Sequence, residues 1–331
     1  MTSTKSSNPS TWLHVGKTTN EIVASTLHQS QIHEQKILHF DVYCPERKIQ
    51  ILLPQAANVM ITRALLSLIP DAKFKMIHVD NSEDMTENGF VPVVRLLPDV
   101  LHGDKIFENF EELKKFFYAR GIEQNDKIRK DLDLKQNLQN QNQNNSGESS
   151  AASHLKIEEI VNPKLKLIVK ASDDENFAKK ELFYHHCSST FHLLELYLTW
   201  GHEASFRKIT EKRYKYNRPW PLADILIAQK RKASLTYLKT KGWDQKSINL
   251  TEAEKRFDKL CQLLVDLLND KIFFFSEKKP CDFDLMVFGH LYVLMTTPLI
   301  DNRFADTIGK YECLVEFIQT MNHLIPWESN V

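Results

Sequence analysis

The stretch "FDLMVFGHLYVLMTTPL", residues 283–299, is the most apolar part of the chain. Phe283, Val287 and Leu291 recur at helical spacing, and further apolar residues cover most of the remaining helix surface. A helix that is apolar nearly all round lies either in lipid or at the centre of a core. A membrane span needs about 20 predominantly apolar residues, whereas this stretch has an acidic second residue and stops at Pro298. The stretch therefore predicts a central core helix.

Three residues in and before this helix raise separate expectations. His290, at its centre, is expected to contact a buried acceptor or to lie at a domain interface, with a role as a ligand as the alternative. Cys281 takes the N-cap position, which cysteine fills poorly. Asp284 comes three residues later and can accept a hydrogen bond from a backbone N–H, which forms half of a capping box.

The length and composition indicate a folded chain without a strong charge bias. Its 331 residues suffice for two domains, and 42% of them are hydrophobic. Lys plus Arg equal Asp plus Glu at 43 each, so the total charge points neither to nucleic acid nor to an anionic membrane. The 5 cysteines form no CxxC pair, and most of them fall in apolar helical patterns. This odd count and the lack of a secretory signal favour a reducing compartment.

The two ends of the sequence show no pattern for secretion or membrane insertion. Residues 1–40 are interpreted as a flexible tail, because they are rich in Ser and Thr and the N-terminus lacks the apolar segment of a signal peptide. The last residues, "NHLIPWESNV", contain no hydrophobic anchor. We therefore expect any membrane association to be peripheral or through a partner.

Residues 41–123 show the pattern of a small α/β domain. Short runs of β-branched and aromatic residues predict strands, and apolar residues at helical spacing predict helices. The predicted elements are, in order, a strand at 49–53 ("IQILL"), a helix from Ala57 to Leu68 that ends at Pro70, strands at 74–79, 89–96 and 105–107, and a helix with Leu113, Phe116 and Phe117. The order βαβ followed by ββα is typical of a thioredoxin-like domain.

Residues 124–175 are interpreted as a low-complexity insertion. Its central part, "DLKQNLQNQNQNNSGESSAAS" at 133–153, is rich in Asn and Gln. Such a polar tract buries too little apolar area to offset the entropy that ordering costs. We expect a disordered spacer, with aggregation or phase separation as the alternative role.

Residues 176–325 have the periodicity of helices throughout, which predicts an all-helical domain. Besides the opening stretch, three apolar stripes recur at helical spacing: Phe183, Cys187, Leu194, Tyr197 and Leu198; Phe257, Leu260, Cys261, Leu264 and Leu268; and Ile308, Tyr311, Val315 and Ile318. Ile225, Ala228 and Gln229 are predicted to lie on another helix. A thioredoxin-like α/β domain followed by an all-α domain is the architecture of glutathione transferases.

Thiol chemistry in that architecture requires three parts. A Tyr, Ser or Cys after the first strand stabilises or forms the sulfur nucleophile, a cis-proline begins the third strand, and a Glu/Gln–Ser pair opens the next helix. Val91–Pro92 supplies the proline, whose cis form the resemblance implies. Residues 54–60, "PQAANVM", follow the predicted first strand and contain neither a hydroxyl nor a thiol.

The pair at the start of the next helix is also missing. The apolar residues of the helix set a register in which Asn109–Phe110 takes the place of the pair. A shift by one residue gives Glu108–Asn109, still without a serine. We therefore predict no catalytic residue and no bound cofactor. The remnant of the ligand site is predicted to be a vestigial cleft at Val91, Pro92, Asn109 and Phe110.

The histidine-rich segment "HHC", His185–Cys187, raises the possibility of a metal site together with His192 and His202. Zinc ligands must converge on one point, whereas neighbours on a helix point in different directions. We expect solvent-facing histidines beside a core cysteine and no metal.

The segment "KRYKYNRPWP", 212–221, alternates cations and aromatic residues. Such a pattern can bind RNA or phosphate, but the neutral total charge argues against nucleic acid. We expect instead a structural loop in which Arg213 pairs with a carboxylate and Trp220 is packed.

Four blocks of the sequence resemble the metaxin family. They are "LLELYLTWGHEASF" from Leu193, "RYKYNRPWPLADILIAQKR" from Arg213, "KGWDQKSINL" from Lys241 and "FFFSEKKPCDFDLMVFGHLYVLMTTPL" from Phe273. The blocks that contain "PWPL" and "VFGHLY" are specific in combination. The resemblance covers residues 38–123 and 176–324, and the departures from it are the Asn/Gln-rich insertion and Cys281 at the helix start.

This resemblance implies a non-enzymatic role at the cytosolic face of the mitochondrial outer membrane. Members of the family belong to the sorting and assembly machinery, the SAM complex, which inserts β-barrel precursors. The implied partners are a metaxin 1-like protein that holds the chain at the membrane, the β-barrel insertase and β-barrel precursor proteins, and no nucleic acid. The vestigial cleft could bind a protein segment, either by backbone pairing beside Pro92 or through a packed interdomain face. The alternatives are a glutathione-dependent transferase-like enzyme and an adaptor that links mitochondria to transport motors.

Overall fold

The structure, a computed structural model, describes residues 37–45, 52–69, 72–86, 89–98, 103–119, 174–216, 218–244, 248–276 and 279–325. Residues 1–36 of the predicted tail 1–40 and the Asn/Gln-rich part of the insertion lie outside these ranges. The prediction of a tail is wrong for residues 38–40, which belong to a strand. Residues 49–51 of the predicted first strand also lie outside them.

A four-stranded mixed sheet forms the first domain, with the strand order β2-β1-β3-β4. Strands β1 and β2 are parallel, whereas β3 pairs antiparallel with both β1 and β4. The strands are β1 (Leu38–Pro45), β2 (Ala72–Val79), β3 (Val93–Leu96) and β4 (Lys105–Phe107). This topology confirms the predicted thioredoxin-like order.

Two helices cover one face of this sheet. Helix α1 (Leu53–Leu68) connects β1 to β2, because parallel strands need a crossover connection. Helix α2 spans residues 110–119. The side chain of Phe40 points from β1 towards both helices, and its ring centroid lies 5.7 Å from that of Phe117 in α2. Alternate residues of β1 therefore build the core of this domain.

The predicted position of the first strand is wrong. The strand is Leu38–Pro45, and Leu53, which was expected at the end of a strand, begins α1. The burial along "LHFDVYCP" alternates between the two faces, as expected for a strand with one face on a core. The third strand is also shorter than predicted, because it begins at Val93, after the proline.

The second domain is all-helical, as predicted. Its long helices are α3 (Asp174–Leu196), α5 (Leu222–Thr240), α6 (Leu250–Leu268), α7 (Asp282–Thr296) and α9 (Glu312–Leu324). Between α3 and α5 the chain forms π-helical turns at Tyr197–Gly201 and Phe206–Thr210, a helical turn at Glu203–Ser205 and the short helix α4 (Glu211–Lys215). The stripe from Ile308 to Ile318 was predicted as one helix, but it falls on two, α8 (Arg303–Gly309) and α9.

Helix α7 contains most of the opening apolar stretch and lies in the core. Of its 15 residues, 12 are buried, which confirms the predicted core helix. It packs against α1 of the first domain through Gly289, where an added Cβ would lie 2.4 Å from Cγ1 of Ile61 and 3.1 Å from the carbonyl oxygen of Ala57. The glycine in "VFGHLY" therefore allows the two domains to approach closely. Within the described ranges, no helix combines the length and apolarity that crossing a membrane requires.

Candidate functional site

The candidate site is the end of the sheet that carries the predicted cleft residues, and its proline is cis as expected. The Val91–Pro92 peptide bond is cis, and both residues are buried. The Val91 side chain packs against Cys44 of β1 and Val59 of α1. Two of the four predicted cleft residues therefore lie at the end of the central strand, beside the first helix.

The corrected position of β1 places a thiol where none was expected. Cys44 stands at the end of β1 and is 1% exposed, whereas residues 54–60 belong to α1. Its Sγ lies 3.2 Å from Nδ1 of His78, the opposite residue in β2. The prediction that no thiol lies at the end of the first strand is therefore wrong. Cys44 and His78 form a pair that could in principle act as nucleophile and base.

The hydrogen bonds of His78 argue against that chemistry. Its Nδ1 also lies 3.0 Å from the carbonyl oxygen of Pro45. A carbonyl oxygen only accepts hydrogen bonds, so Nδ1 carries a proton and donates it. A protonated Nδ1 cannot remove the proton of the Cys44 thiol. The pair therefore ties the ends of β1 and β2 together. The sequence that follows β1, "ERKIQI" at 46–51, contains neither a hydroxyl nor a thiol.

Asn109, the third predicted cleft residue, caps helix α2. Its Oδ1 accepts a hydrogen bond from the backbone N–H of Glu112 at 2.9 Å, and its Nδ2 donates to Oε1 of Glu112 at 3.1 Å. The other oxygen of Glu112 accepts from the backbone N–H of Glu108 at 3.1 Å. This reciprocal arrangement is a form of capping box. The polar groups that would face a ligand at this position are thus bound within the chain.

Phe110, the fourth predicted cleft residue, has an apolar role. It packs against the main hydrophobic core, and the Nζ of Lys114 lies 6.0 Å from its ring centroid. A ring in this position offers no hydrogen bond to a carboxylate. The structure therefore brings the four predicted residues to one end of the sheet without giving them a polar binding surface.

A buried ion cluster, here called the Asp282 cluster, joins α2, α3 and α7. The carboxylate of Asp282 accepts hydrogen bonds from Lys180 in α3 at 2.7 Å and from Lys114 in α2 at 3.3 Å. Lys114 also bridges to Glu111 at 2.9 Å. Burial alone would raise the pKa of Asp282, but the two lysines outweigh it, so that the pKa lies below its ordinary value. The carboxylate is therefore charged and fully engaged at neutral pH.

A second buried cluster, here called the Glu83 cluster, joins the domains through the helical turn Ser82–Met85. Buried Glu83 pairs with Arg213 at 3.0 Å and with Arg218 at 3.1 Å. Arg218 also bridges to the exposed Asp84 at 3.0 Å. Burial would raise the pKa of Glu83, but the arginines lower it below its ordinary value. The predicted pairing of Arg213 with a carboxylate is confirmed.

The expected packing of Trp220 is wrong. The Trp220 side chain is 82% exposed, although Arg213 and Tyr214, earlier in the same segment, are buried. The segment 212–221 therefore has two parts, a buried one that binds the first domain and a protruding one with an aromatic tip.

The histidine segment has the predicted arrangement. His185 and His186 are exposed, and Cys187 in the same helix is buried. His290 contacts a buried acceptor as expected, with its Nδ1 2.6 Å from Oε1 of Glu195 and its ring stacked on Phe191 at 4.7 Å. Among the residues that the structure describes, no group of three or more His, Cys, Asp and Glu side chains is arranged to hold a metal ion.

The start of α7 also follows the prediction. The side chain of Asp284 accepts from the backbone N–H of Cys281 at 2.8 Å and from that of Phe274 at 2.9 Å. Together with the Cys281 side chain, which accepts from the backbone N–H of Asp284, this forms a capping box. Burial raises the pKa of Asp284 to about 6 despite these hydrogen bonds.

Apart from Arg213, the residues of the two ion clusters were not predicted from the sequence. One signal was present, because Lys180 precedes Tyr184, Cys187 and Phe191 on the same helical stripe, and all of them are buried. A lysine on an apolar stripe is rarely buried without a partner. The identity of that partner, 102 residues further along the chain, has no local signal.

This fold and cleft define a protein of the glutathione-transferase-like class, whose interdomain polar residues bind one another. A family model described as "Glutathione S-transferase, C-terminal domain" matches residues 257–321. That range covers most of α6, all of α7 and α8, and most of α9. The predicted fold class is thereby confirmed.

Part of the chain is also similar in sequence to Metaxin-2 proteins from three animals. Human Metaxin-2 is 37% identical over 123 residues, which are 37% of this chain and 46% of the human protein. Mouse Metaxin-2 matches to the same extent, and the Metaxin-2 homolog of Caenorhabditis elegans is 32% identical over 108 residues, 32% of this chain and 46% of the worm protein. The chain thus spans about half the length of these relatives. The chain is thus similar to Metaxin-2 proteins over about a third of its length.

Proposed function

We propose that the chain is a non-enzymatic adaptor of the glutathione-transferase-like class. One observation supports this most strongly: polar side chains at the cleft are bound within the chain. Both polar atoms of the Asn109 side chain are bound to Glu112 at the start of α2. A ligand held by Asn109 would have to break this cap, which costs the helix stability.

We further propose the role that the metaxin resemblance implies. The chain acts in the sorting and assembly machinery of the mitochondrial outer membrane, at the cytosolic face, in protein import and β-barrel insertion. A metaxin 1-like protein holds it there, next to the β-barrel insertase and its precursors. The similarity to Metaxin-2 proteins supports this assignment.

Fractionation tests the location and the anchoring partner. The full chain is expected to sediment with mitochondria, to be removed by alkaline carbonate, and to leave mitochondria when the metaxin 1-like partner is depleted. The matched control is depletion of an unrelated outer-membrane protein, which should not release the chain. Retention of the full amount after depletion of the partner would contradict the anchoring.

A second experiment tests the role in import. Isolated mitochondria without the chain should insert a radiolabelled β-barrel precursor more slowly, while import of a matrix precursor stays unchanged. Equal β-barrel insertion with and without the chain would contradict the proposal. Co-purification with a transport motor in place of the insertase would favour the adaptor role in mitochondrial transport.

The enzyme alternative has one observation in its favour, which is the position of Cys44 at the end of β1. It predicts retention on immobilised glutathione and turnover of a generic electrophile, both lost in Cys44→Ala. Our proposal predicts neither retention nor turnover in the unmodified chain. The control is an active glutathione transferase in the same assay.

A further inference from the structure

Four large side chains protrude from the start of α5 and the loop before it. Tyr216, Trp220, Leu222 and Ile225 are exposed by 42%, 82%, 48% and 49% of their surfaces. We call this set the Trp220 patch. Isolated exposed apolar residues are ordinary, whereas a group of them on one surface indicates an interaction site.

The members of the Trp220 patch lie on one surface. Leu222 and Ile225 are three residues apart in α5 and so share one face of the helix. Their neighbours Ala223 and Ile227 turn inwards and are buried. A salt bridge of 3.1 Å between Lys215 and Asp224 holds the end of α4, next to Tyr216, against the first turn of α5. Trp220 lies two residues before α5 begins.

The charge around the Trp220 patch differs from that of the chain as a whole. Residues 203–232 contain nine Arg and Lys but only three Asp and Glu, although the whole chain has equal numbers of both. Arg213 and Arg218 of this set are bound in the Glu83 cluster. Lys208 and Lys212 are exposed, and within the described ranges neither forms a salt bridge. The Trp220 patch is therefore surrounded by basic residues, and the salt bridges within the chain do not neutralise all of their charge.

We propose that the Trp220 patch docks onto the surface of an anionic lipid bilayer. Trp and Tyr prefer the interface between water and lipid, because each has an apolar ring and a polar group. Leu222 and Ile225 add aliphatic surface that enters the acyl boundary, and nearby lysines attract anionic head groups. Leu222 and Ile225 also have no ring that could stack on a base, and base stacking is central to RNA binding by such surfaces.

This inference goes beyond the proposed function, because it assigns a lipid contact that needs no protein partner. A patch with a few exposed apolar residues and about two free lysines binds weakly, and stable anchoring generally requires a second attachment. The partner-dependent retention proposed above is compatible with such a weak contact. The two proposals fail separately, since vesicles contain no protein.

Flotation of the full chain with vesicles is the test. We expect binding to vesicles of phosphatidylcholine and phosphatidylserine, weaker binding to pure phosphatidylcholine, and a decrease with added salt. The variant Trp220→Ala/Ile225→Ser should bind about tenfold more weakly, since it removes most of the buried apolar area. The control Leu182→Ser/Ile272→Ser changes two other exposed apolar residues and should bind like the unmodified chain.

Two charge reversals distinguish the effect of the basic residues around the Trp220 patch on vesicle binding from the effect of the net charge of the chain. Lys212→Glu should weaken binding about tenfold, since it reverses a charge beside the bilayer. Lys259→Glu changes the net charge equally at an exposed position of α6 and should leave binding unchanged. Because all these positions are exposed, each variant should keep the circular dichroism spectrum of the unmodified chain.

The depth at which Trp220 enters the bilayer gives an independent measure of docking. Brominated lipids should quench part of the fluorescence of the chain, which has 5 tryptophans. Trp220→Phe keeps an aromatic ring and should therefore bind vesicles while losing that quenching. Absence of vesicle binding by the unmodified chain, or equal binding by the patch and control variants, would overturn the proposal. Patch-dependent binding to poly(U) RNA without vesicle binding would overturn it in favour of a nucleic-acid surface.

Discussion

The two ion clusters between the domains differ in how completely they are enclosed. In the Asp282 cluster, one buried carboxylate faces two lysines that are also largely buried. In the Glu83 cluster, the buried carboxylate faces two buried arginines, but Arg218 continues to the exposed Asp84. The first cluster joins α2, α3 and α7, and the second includes Arg218, which lies two residues before Trp220. One cluster between the domains is therefore enclosed, while the other leads to an exposed surface that is available for contacts.

Loss of the central carboxylate in the enclosed cluster should have the largest effect. Asp282→Ala leaves Lys180 and Lys114 without their shared partner, and we expect it to lower the free energy of unfolding by about 3–5 kcal/mol. Denaturation in urea measures this change. Lys180→Met/Asp282→Leu should recover more than half of the loss, because Lys114 keeps Glu111 as a partner. A loss below about 1 kcal/mol in Asp282→Ala would show that the cluster is not enclosed as described.

The Glu83 cluster should respond less strongly to the matching change. Glu83→Ala leaves Arg213 without a carboxylate, while Arg218 keeps its bridge to Asp84. We expect a loss of about 2–4 kcal/mol in the same urea titration. Glu83→Gln keeps the side-chain volume and one acceptor and should lose less. A larger loss than in Asp282→Ala would reverse the order of the two clusters.

Two carboxylates at the start of α7 should titrate with opposite effects on stability. The folded pKa of Asp282 is lowered, so its contribution is present above its ordinary value of 3.8 and is lost as the pH falls through the folded pKa. The folded pKa of Asp284 is raised from 3.8 to about 6 by burial, so its contribution is complete below 3.8 and is lost as the pH rises through about 6.

Thermal unfolding at several pH values separates these contributions. The difference in melting temperature between the unmodified chain and Asp282→Asn should shrink below pH 3.8. Between pH 3.8 and about 6 the unmodified chain should lose stability as Asp284 ionises, and Asp284→Asn should lose less stability over the same range. Parallel curves for all three proteins would contradict both assignments.

The smallest effect is expected at an exposed ion pair, which serves as the reference for the buried clusters. Arg95 and Asp104 form a bidentate pair, with distances of 2.9 and 2.7 Å, across the β3–β4 hairpin. Such a pair is worth little in water, so Arg95→Ala should leave the urea midpoint within experimental error. A shift comparable to that of Glu83→Ala would show that burial does not explain the difference between the pairs.

The architecture could be predicted from the sequence because its signals are local. The apolar period of α6 and the continuous apolar surface of α7 follow directly from residue spacing. The first strand was misplaced because "IQILL" is more apolar than "LHFDVYCP", although the latter has the alternation that β1 shows. Strand alternation with a polar face is thus a better guide at this position than total hydrophobicity.

The site could be predicted only in part, for a physical reason. Proline before the third strand has a local signature, and Val91–Pro92 is cis as expected. The pair Glu83–Arg213 joins residues 130 positions apart, and residue spacing has no information on such a contact. Exposure of Trp220 was missed for a related reason, because its surroundings are set by α4 and α5 together.

Calorimetric titration of the full chain with glutathione, in parallel with Cys44→Ala, tests most directly whether the predicted cleft binds glutathione. We predict no saturable heat of binding in either protein at millimolar glutathione, because Asn109 is bound to Glu112 and the ring of Phe110 offers no hydrogen bond to a carboxylate. Saturable binding to the unmodified chain that disappears in Cys44→Ala would contradict the adaptor account and support thiol chemistry at the end of β1.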